Sequence, residues 1–214
     1  MSSHKKLHKR APRRPLGISV VVPCAHSHVQ HLPGLVAALH AQTRKPEQIV
    51  VAISGCAASA LPHLDAEVIH SPDRQTAGRN RNRGSSISRG DVIIYQDADD
   101  LPHPQRVEII AGLFETYQID HLMHFYDRSA EQVHELSFKK AAKRTAYRKK
   151  PGVGGVTNGN PAIARSLFER VQWPERPGAG EDTEFNAAAY ACTKLTAVTK
   201  LSLLTYRQHL SSFQ

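Results

Sequence analysis

Apolar positions along the chain fall into short β-branched runs separated by helical periodicities. Ile18-Ser-Val-Val-Val-Pro23 is an apolar run closed by proline, which predicts a buried strand. Leu32, Leu35, Val36 and Leu39 recur at helical spacing, so a helix is expected over 32–42, stopped by Arg44-Lys45-Pro46. Strands are expected over 48–54 and 67–70. Residues 76–89, with Gly78 and Gly84, read as a loop winding into a helix, and Asp91–Gln96 as the next strand. Pro104 sits in the first turn of a helix over 104–117 whose apolar face is Val107, Ile110, Ala111 and Phe114. Ile119–Tyr126 and Val133–Phe138 read as two strands, possible partners in a hairpin, followed by a basic helix or loop over 139–150 and a break at Pro151–Gly155. A short helix anchored by Phe168 and Val171, a helix over 182–191 and a strand over 200–206 complete the chain.

Strands alternating with helices predict an α/β fold: one mainly parallel sheet with helices on both faces, in a single domain over 16–214. Residues 1–15 are polar, basic and without periodicity, and are expected to form a disordered tail. In such sheets ligands bind outside the carboxyl ends of the strands, where the chemical residues of this chain collect.

Composition narrows the setting. With 40% hydrophobic and 22% charged residues the chain has material for a core. No run of about 18 uncharged apolar residues exists, so no membrane-spanning helix is expected. The basic start is followed only by a short apolar run, which does not read as a secretion leader. The cysteines Cys24, Cys56 and Cys192 form no CxxC pair, which fits a reducing compartment, and the cytoplasm is expected. The net charge of +9 comes largely from clusters in the first 14 residues, over 139–150 and among Arg74, Arg79, Arg81, Arg83 and Arg89. Such clusters attract polyanions without choosing among nucleic acid, anionic lipid and phosphorylated ligands.

The sharpest chemical signal is Asp97-Ala98-Asp99-Asp100 at a strand end. Crowded carboxylates repel, and Mg²⁺ or Mn²⁺ held by one or two of them plus phosphate oxygens would relieve that repulsion. An acidic turn capping the following helix explains the same residues equally well. Cys24-x-His26-x-His28-x₂-His31 also contains metal-ligand types, but no later CxxC or HxxxH completes a tetrahedral set, and a loop after the first strand is the plainer account.

Several motifs in order resemble the family 2 glycosyltransferases of the GT-A fold. These are Val21-Val22-Pro23 in the first strand, Arg81-Asn82-Arg83-Gly84, Arg89-Gly90-Asp91, the acidic run 97–100 with Pro104, Gly180-Glu181-Asp182 before a helix, and Tyr206-Arg207-Gln208-His209. The resemblance covers roughly residues 17–210 and implies a Rossmann-like GT-A domain. It further implies a metal-dependent, inverting transfer of a sugar from a nucleoside-diphosphate donor, with UDP-sugars favoured, to a hydroxyl of a glycan or lipid-linked acceptor. By it, Asp99 coordinates Mn²⁺ or Mg²⁺, with His209 as a further contact. Pro23, Ala25, Ser54, Arg81 and Asp97 line the donor, and Asp182 is the general base, supported by Glu181 and Arg207. The plain alternatives are that Asp182 caps its helix, that Arg81 is a surface arginine and that His209 is a solvated histidine. The chain departs from the family's pattern at Cys24-Ala25-His26, and at Ser54, where an acidic residue usually ends the second strand.

Two other classes compete. A nucleotidyltransferase would carry a Gly-rich basic loop after the first strand, which Pro23-Cys-Ala-His26 is not. A nucleic-acid-binding module would interleave aromatics with its basic residues, whereas the 139–150 cluster holds only Tyr147, so no nucleic acid is expected. Peripheral membrane contact through the basic segments is the further partner expectation.

Overall fold

In the computed structural model, which describes residues 6–11, 14–128, 134–148 and 156–207, the apolar runs become the central strands. Strands β1 (Ile18–Ala25), β2 (Gln48–Ser54), β3 (Glu67–Ser71) and β4 (Val92–Tyr95) pair in parallel in the order β3-β2-β1-β4. Helix α1 (Leu32–His40), preceded by a 3-10 turn over His26–His31, links β1 to β2, and α2 (Ala77–Ser86) links β3 to β4. Then follow β5 (Leu101–Pro102), α3 (Arg106–Thr116), β6 (His121–Asp127), α4 (Phe138–Lys143) and β7 (Thr145–Tyr147). The described chain closes with β8 (Ala162–Ala164), α5 (Arg165–Phe168), α6 (Glu181–Cys192) and β9 (Thr196–Thr205).

The sheet runs β3-β2-β1-β4-β8-β6-β9-β5, with β7 also on β9. Six of its strands (β1–β4, β6 and β9) point one way, and β5, β7 and β8 oppose them. Side-chain alternation along each strand feeds two cores. Val20, Val22, Val51 and Ile53 pack with Leu35, Leu39, Val107 and Ile110 of α1 and α3. Val21, Val50, Ile93 and Tyr95 pack with Leu167, Phe168, Trp173 and Phe185 on the other face. Burial on both faces is why β1 and β2 read as unbroken apolar runs.

The structure corrects several expectations. Residues 134–137 form no strand, and Phe138 opens a helix, because the Ser137 side chain accepts from the Lys140 N–H at 3.2 Å and caps it. Residues 145–147 of the basic stretch are a strand, and β9 starts at Thr196 rather than residue 200. Where the basic N-terminal segment is described, it lies against the domain: Arg10 N–H donates to Thr116 O at 2.8 Å, and Gln118 N–H to His8 O at 2.9 Å. Lys149, Lys150 and the break at 151–155 lie outside the described residues.

Candidate active site

Strands β1 and β2 end in register at Ala25 and Ser54, while β4 ends earlier, at Tyr95 opposite Val21, and runs directly into the acidic turn. Two side chains hold that turn. Gln96 Nε2 donates to the carbonyls of Asp97 (3.0 Å) and Asp100 (3.2 Å). The Asn160 amide accepts from the Asp97 N–H at 2.6 Å and donates toward Asp97 Oδ2 (2.9 Å) and Asp100 Oδ2 (3.1 Å). Beside it, a Cβ on Gly159 would stand 2.6 Å from Asp97 Oδ2 and 3.0 Å from Arg81 Nη2, so only glycine lets the 156–161 segment approach this closely.

Asp100 is the innermost carboxylate, 3% exposed. Burial first, then Asp97 and Asp99, push its pKa up to about 8, against the Arg207 N–H and Asn160, which hydrogen-bond it. Arg106 lies fully buried beneath the turn, donating to Gln96 Oε1 (2.9 Å), Tyr95 O (2.9 Å) and Asn160 O (3.0 Å). Burial lowers its pKa to about 10, which leaves it a cation at neutral pH. Burial and this cation hold His124 near 3, so its imidazole is neutral where Nε2 faces Arg106 Nη2 at 3.2 Å.

Arg81 is not a surface arginine. It is 4% exposed, its Nη2 donates to Asp97 Oδ1 at 2.7 Å, and its Nη1 lies 3.5 Å from Glu181 Oε1. The guanidinium carbon sits 4.3 Å above the Trp173 ring, and that ring stacks on Phe185 with centroids 3.9 Å apart. Helix α2 brings Arg81 here by burying a polar face, Asn80, Arg81, Asn82 and Ser85, where an apolar one is usual. Asn82 secures that face by donating to Trp173 O at 2.9 Å and accepting from Trp173 N–H at 2.9 Å.

The structure brings Arg81, Asp97, Asp99 and Glu181 together with the backbone of Arg207, whose N–H donates to Asp100 Oδ1 at 3.2 Å while its side chain is exposed. Asp99 keeps 21% of its side chain exposed, with His28 Nε2 4.0 Å from Oδ2. Ser54 is only 1% exposed. Its hydroxyl accepts from Asn80 Nδ2 (2.9 Å) and Gln75 N–H (3.2 Å), so it braces the start of α2 rather than presenting itself to a base. Pro23 is buried and Ala25 half-buried at the end of β1. Asp182 stands in the first turn of α6, its Oδ1 accepting from Thr183 N–H at 2.6 Å. Asn186 joins that turn to the Gly159 segment by donating to Asp182 O (2.7 Å) and Asn158 O (2.9 Å). His209 lies outside the described residues.

Among the described residues no three His, Cys, Asp or Glu side chains gather as a metal cage. That also disposes of Cys24-x-His26-x-His28-x₂-His31 as a self-contained site, and burial, with Cys56 and Asp99 adding to it, pushes the Cys24 thiol up to about 12. Asn160, Gly159, Arg106 and Trp173 carry the site without having been singled out in the sequence. Asn158-Gly-Asn-Pro161 was readable as a turn, but nothing local says that it folds back onto β4.

A family model described as glycosyl transferase family 2 matches residues 19–172. No curated protein matches the chain in sequence. Among solved structures, S. aureus TarS 1–349 in complex with UDP superposes with a TM-score of 0.66 at 16% identity, over 90% of this chain and 60% of that one. The same TarS fragment in complex with UDP-GlcNAc gives 0.69 at 14% identity, over 92% and 60%. Glucosyl-3-phosphoglycerate synthase from Mycobacterium tuberculosis, in complex with Mn²⁺, UDP and phosphoglyceric acid, gives 0.67 at 17% identity, over 98% and 80%. The chain thus spans about 60% of the TarS fragment's length, and at these identities the likeness establishes the GT-A fold.

Proposed function

The chain belongs to glycosyl transferase family 2, and from that membership we propose that it moves a sugar from a nucleoside diphosphate, UDP by analogy with the ligands of its structural neighbours, to an acceptor hydroxyl. The observation that carries this reading is the acidic turn itself. Asp97 and Asp99 remain 27% and 21% exposed at the strand ends, while Asp100 beneath them is held protonated well above the carboxylate range. This is an all-oxygen donor set in which burial and crowding already keep Asp100 protonated, and it fits Mn²⁺ or Mg²⁺ bound through one or two carboxylates, with the remaining positions left to phosphate oxygens and water. Asp99 is the ligand of choice, because Asp97 is already engaged by Arg81 and Asn160. When bound, the metal supplies positive charge against the departing diphosphate.

The protein's own residues then divide the work. Arg81 and Asn160 orient Asp97, and Gly159 leaves room for the donor-side loop. Asp182 takes the proton from the acceptor hydroxyl as its oxygen attacks the anomeric carbon from the face opposite the diphosphate. The new C–O bond forms as the bond to the diphosphate oxygen breaks, so the anomeric configuration inverts. A general base in that role is worth about 10²–10⁴ in rate. Glu181, paired with Arg81, is the poorer candidate for that role.

Calorimetry of UDP with and without Mn²⁺ tests the reading. Wild type should bind UDP more tightly with the metal, and Asp99→Asn should lose that increment while keeping its fold. An unchanged metal-dependent affinity in the variant removes Asp99 from the site.

A further inference from the structure

A cavity of about 590 Å³ opens between the N-terminal segment, α4 and the residue that follows α3. Helix α3 measures its separation from the acidic turn: it begins at Arg106 beneath that turn and ends at Thr116, beside the cavity-lining Tyr117. Its 11 residues span roughly 16 Å from the turn to the Tyr117 wall, while the Phe138 wall lies nearer, against Gly112.

The floor is apolar. Leu7, Tyr117, Phe138 and Ala142 contribute it. Phe138 packs one edge against Gly112 of α3, where an added Cβ would meet its ring at 3.0 Å, yet it remains 38% exposed. The rim is cationic, with exposed Lys6 and Lys9 on the N-terminal segment facing exposed Lys139 and Lys143 on α4. Among the described residues no carboxylate lines the cavity. The N-terminal wall is held in place by the His8 and Arg10 backbone bonds to Gln118 and Thr116 and by the bond from His8 N–H to Tyr147 Oη at 3.3 Å.

A fully polar anion would satisfy the lysines and leave Phe138, Leu7 and Ala142 in water. An apolar ligand would satisfy the floor and leave four ammonium groups uncompensated. An anion joined to a hydrocarbon matches both halves, and four basic residues around an apolar cleft are the pattern that anionic membrane lipids attract. We propose that this cleft receives the headgroup and first acyl carbons of an anionic membrane lipid, seating the domain on a negatively charged bilayer. The proposal is independent of the glycosyl-transfer reading.

The test is co-sedimentation of the full chain with phosphatidylcholine vesicles, with and without about 30% phosphatidylglycerol, at about 0.1 M salt. Binding should require phosphatidylglycerol. Lys139→Gln with Lys143→Gln should weaken it about 25-fold, at about fivefold per lysine. Lys45→Gln with Lys194→Gln makes the same change of charge on residues outside the cleft and should weaken it far less. Phe138→Ser, at constant charge, should also lower binding; its melting temperature shows whether α4 is intact, and the exposed lysine pair keeps the test independent of that substitution. Three results overturn the proposal: no preference for phosphatidylglycerol, equal losses from the two lysine pairs, or a single-stranded RNA oligonucleotide that displaces the vesicles through the same lysines.

Discussion

Replacing Arg81 with methionine removes the cation from a pocket that was built around it. Breaking a fully buried ion pair by deleting one partner costs about 3–5 kcal/mol, chiefly because the surviving charge stays buried. Here the survivors are only partly buried, Asp97 being 27% and Glu181 19% exposed, so solvent screens part of that cost and about 2–3 kcal/mol is expected. Methionine keeps a polarizable contact on the Trp173 face and offsets a little of the lost stacking. At about 2–4 °C per kcal/mol for a chain of this size, the melting temperature should fall about 5–10 °C. Adding Asp97→Asn on top of Arg81→Met removes a stranded carboxylate and should restore about 1 kcal/mol or more, a coupling that a double-mutant cycle reads directly. Differential scanning calorimetry of the three variants is the assay. A melting temperature for Arg81→Met within 2 °C of wild type, or no recovery in the double mutant, would refute the claim that Arg81 is a buried counter-charge.

Asp182→Asn should cut turnover about 10²-fold or more with the donor's Kd within a few-fold of wild type, whereas a mere cap would lose about 1 kcal/mol of stability and keep its turnover. Gly159→Ala drives a methyl to 2.6 Å from Asp97 Oδ2, so a loss of about 1–3 kcal/mol and weaker UDP binding are expected, read by melting and calorimetry. Asp100 has a folded pKa of about 8 against 3.8 for the free side chain, so the native state holds the extra proton between those values. Its contribution is therefore fully present below about pH 4 and is lost as pH rises toward 8. In metal-free protein Asp100→Asn should flatten that fall, and melting curves of both proteins superposing across the range would contradict it.

Most of the parallel half was legible because burial on both faces leaves its mark in a single residue run: Ile18–Pro23 and Gln48–Ser54 contain enough apolar β-branched residues to be read without context. The short strands were not. Leu101–Pro102 and Ala162–Ala164 are two and three residues long, below any periodicity, and exist because partners distant in sequence pair with them. Ser137 with Lys140 to Lys143 offered a cap and good helix formers, yet Val133, Leu136 and Phe138 suggested a strand; the local cap prevailed. In the site, the carboxylates and Arg81 stood out as charges at a strand end and in a motif. Arg106 did not, since on a helix read by its apolar face an arginine belongs to solvent, and only the acidic turn packed above gives its charge a reason to be inside. Asn160 was hidden for a related reason, as the carboxylates its amide holds lie 60 or more residues back in the chain.

The Arg81–Trp173–Phe185 pile is also a link. Phe185 belongs to α6, the helix whose first turn bears Asp182, while the guanidinium at the other end donates to Asp97. The Trp173 and Phe185 rings lie within 5° of parallel at 3.9 Å between centroids, so no free volume separates α6 from the ring that carries the cation. The proposed base and the cation that holds Asp97 are therefore joined by direct side-chain packing, with no loop between them. Substitution of Phe185 would thus bear on the seat of Arg81 as well as on α6, and changes to α6 that spare Phe185 leave that seat intact.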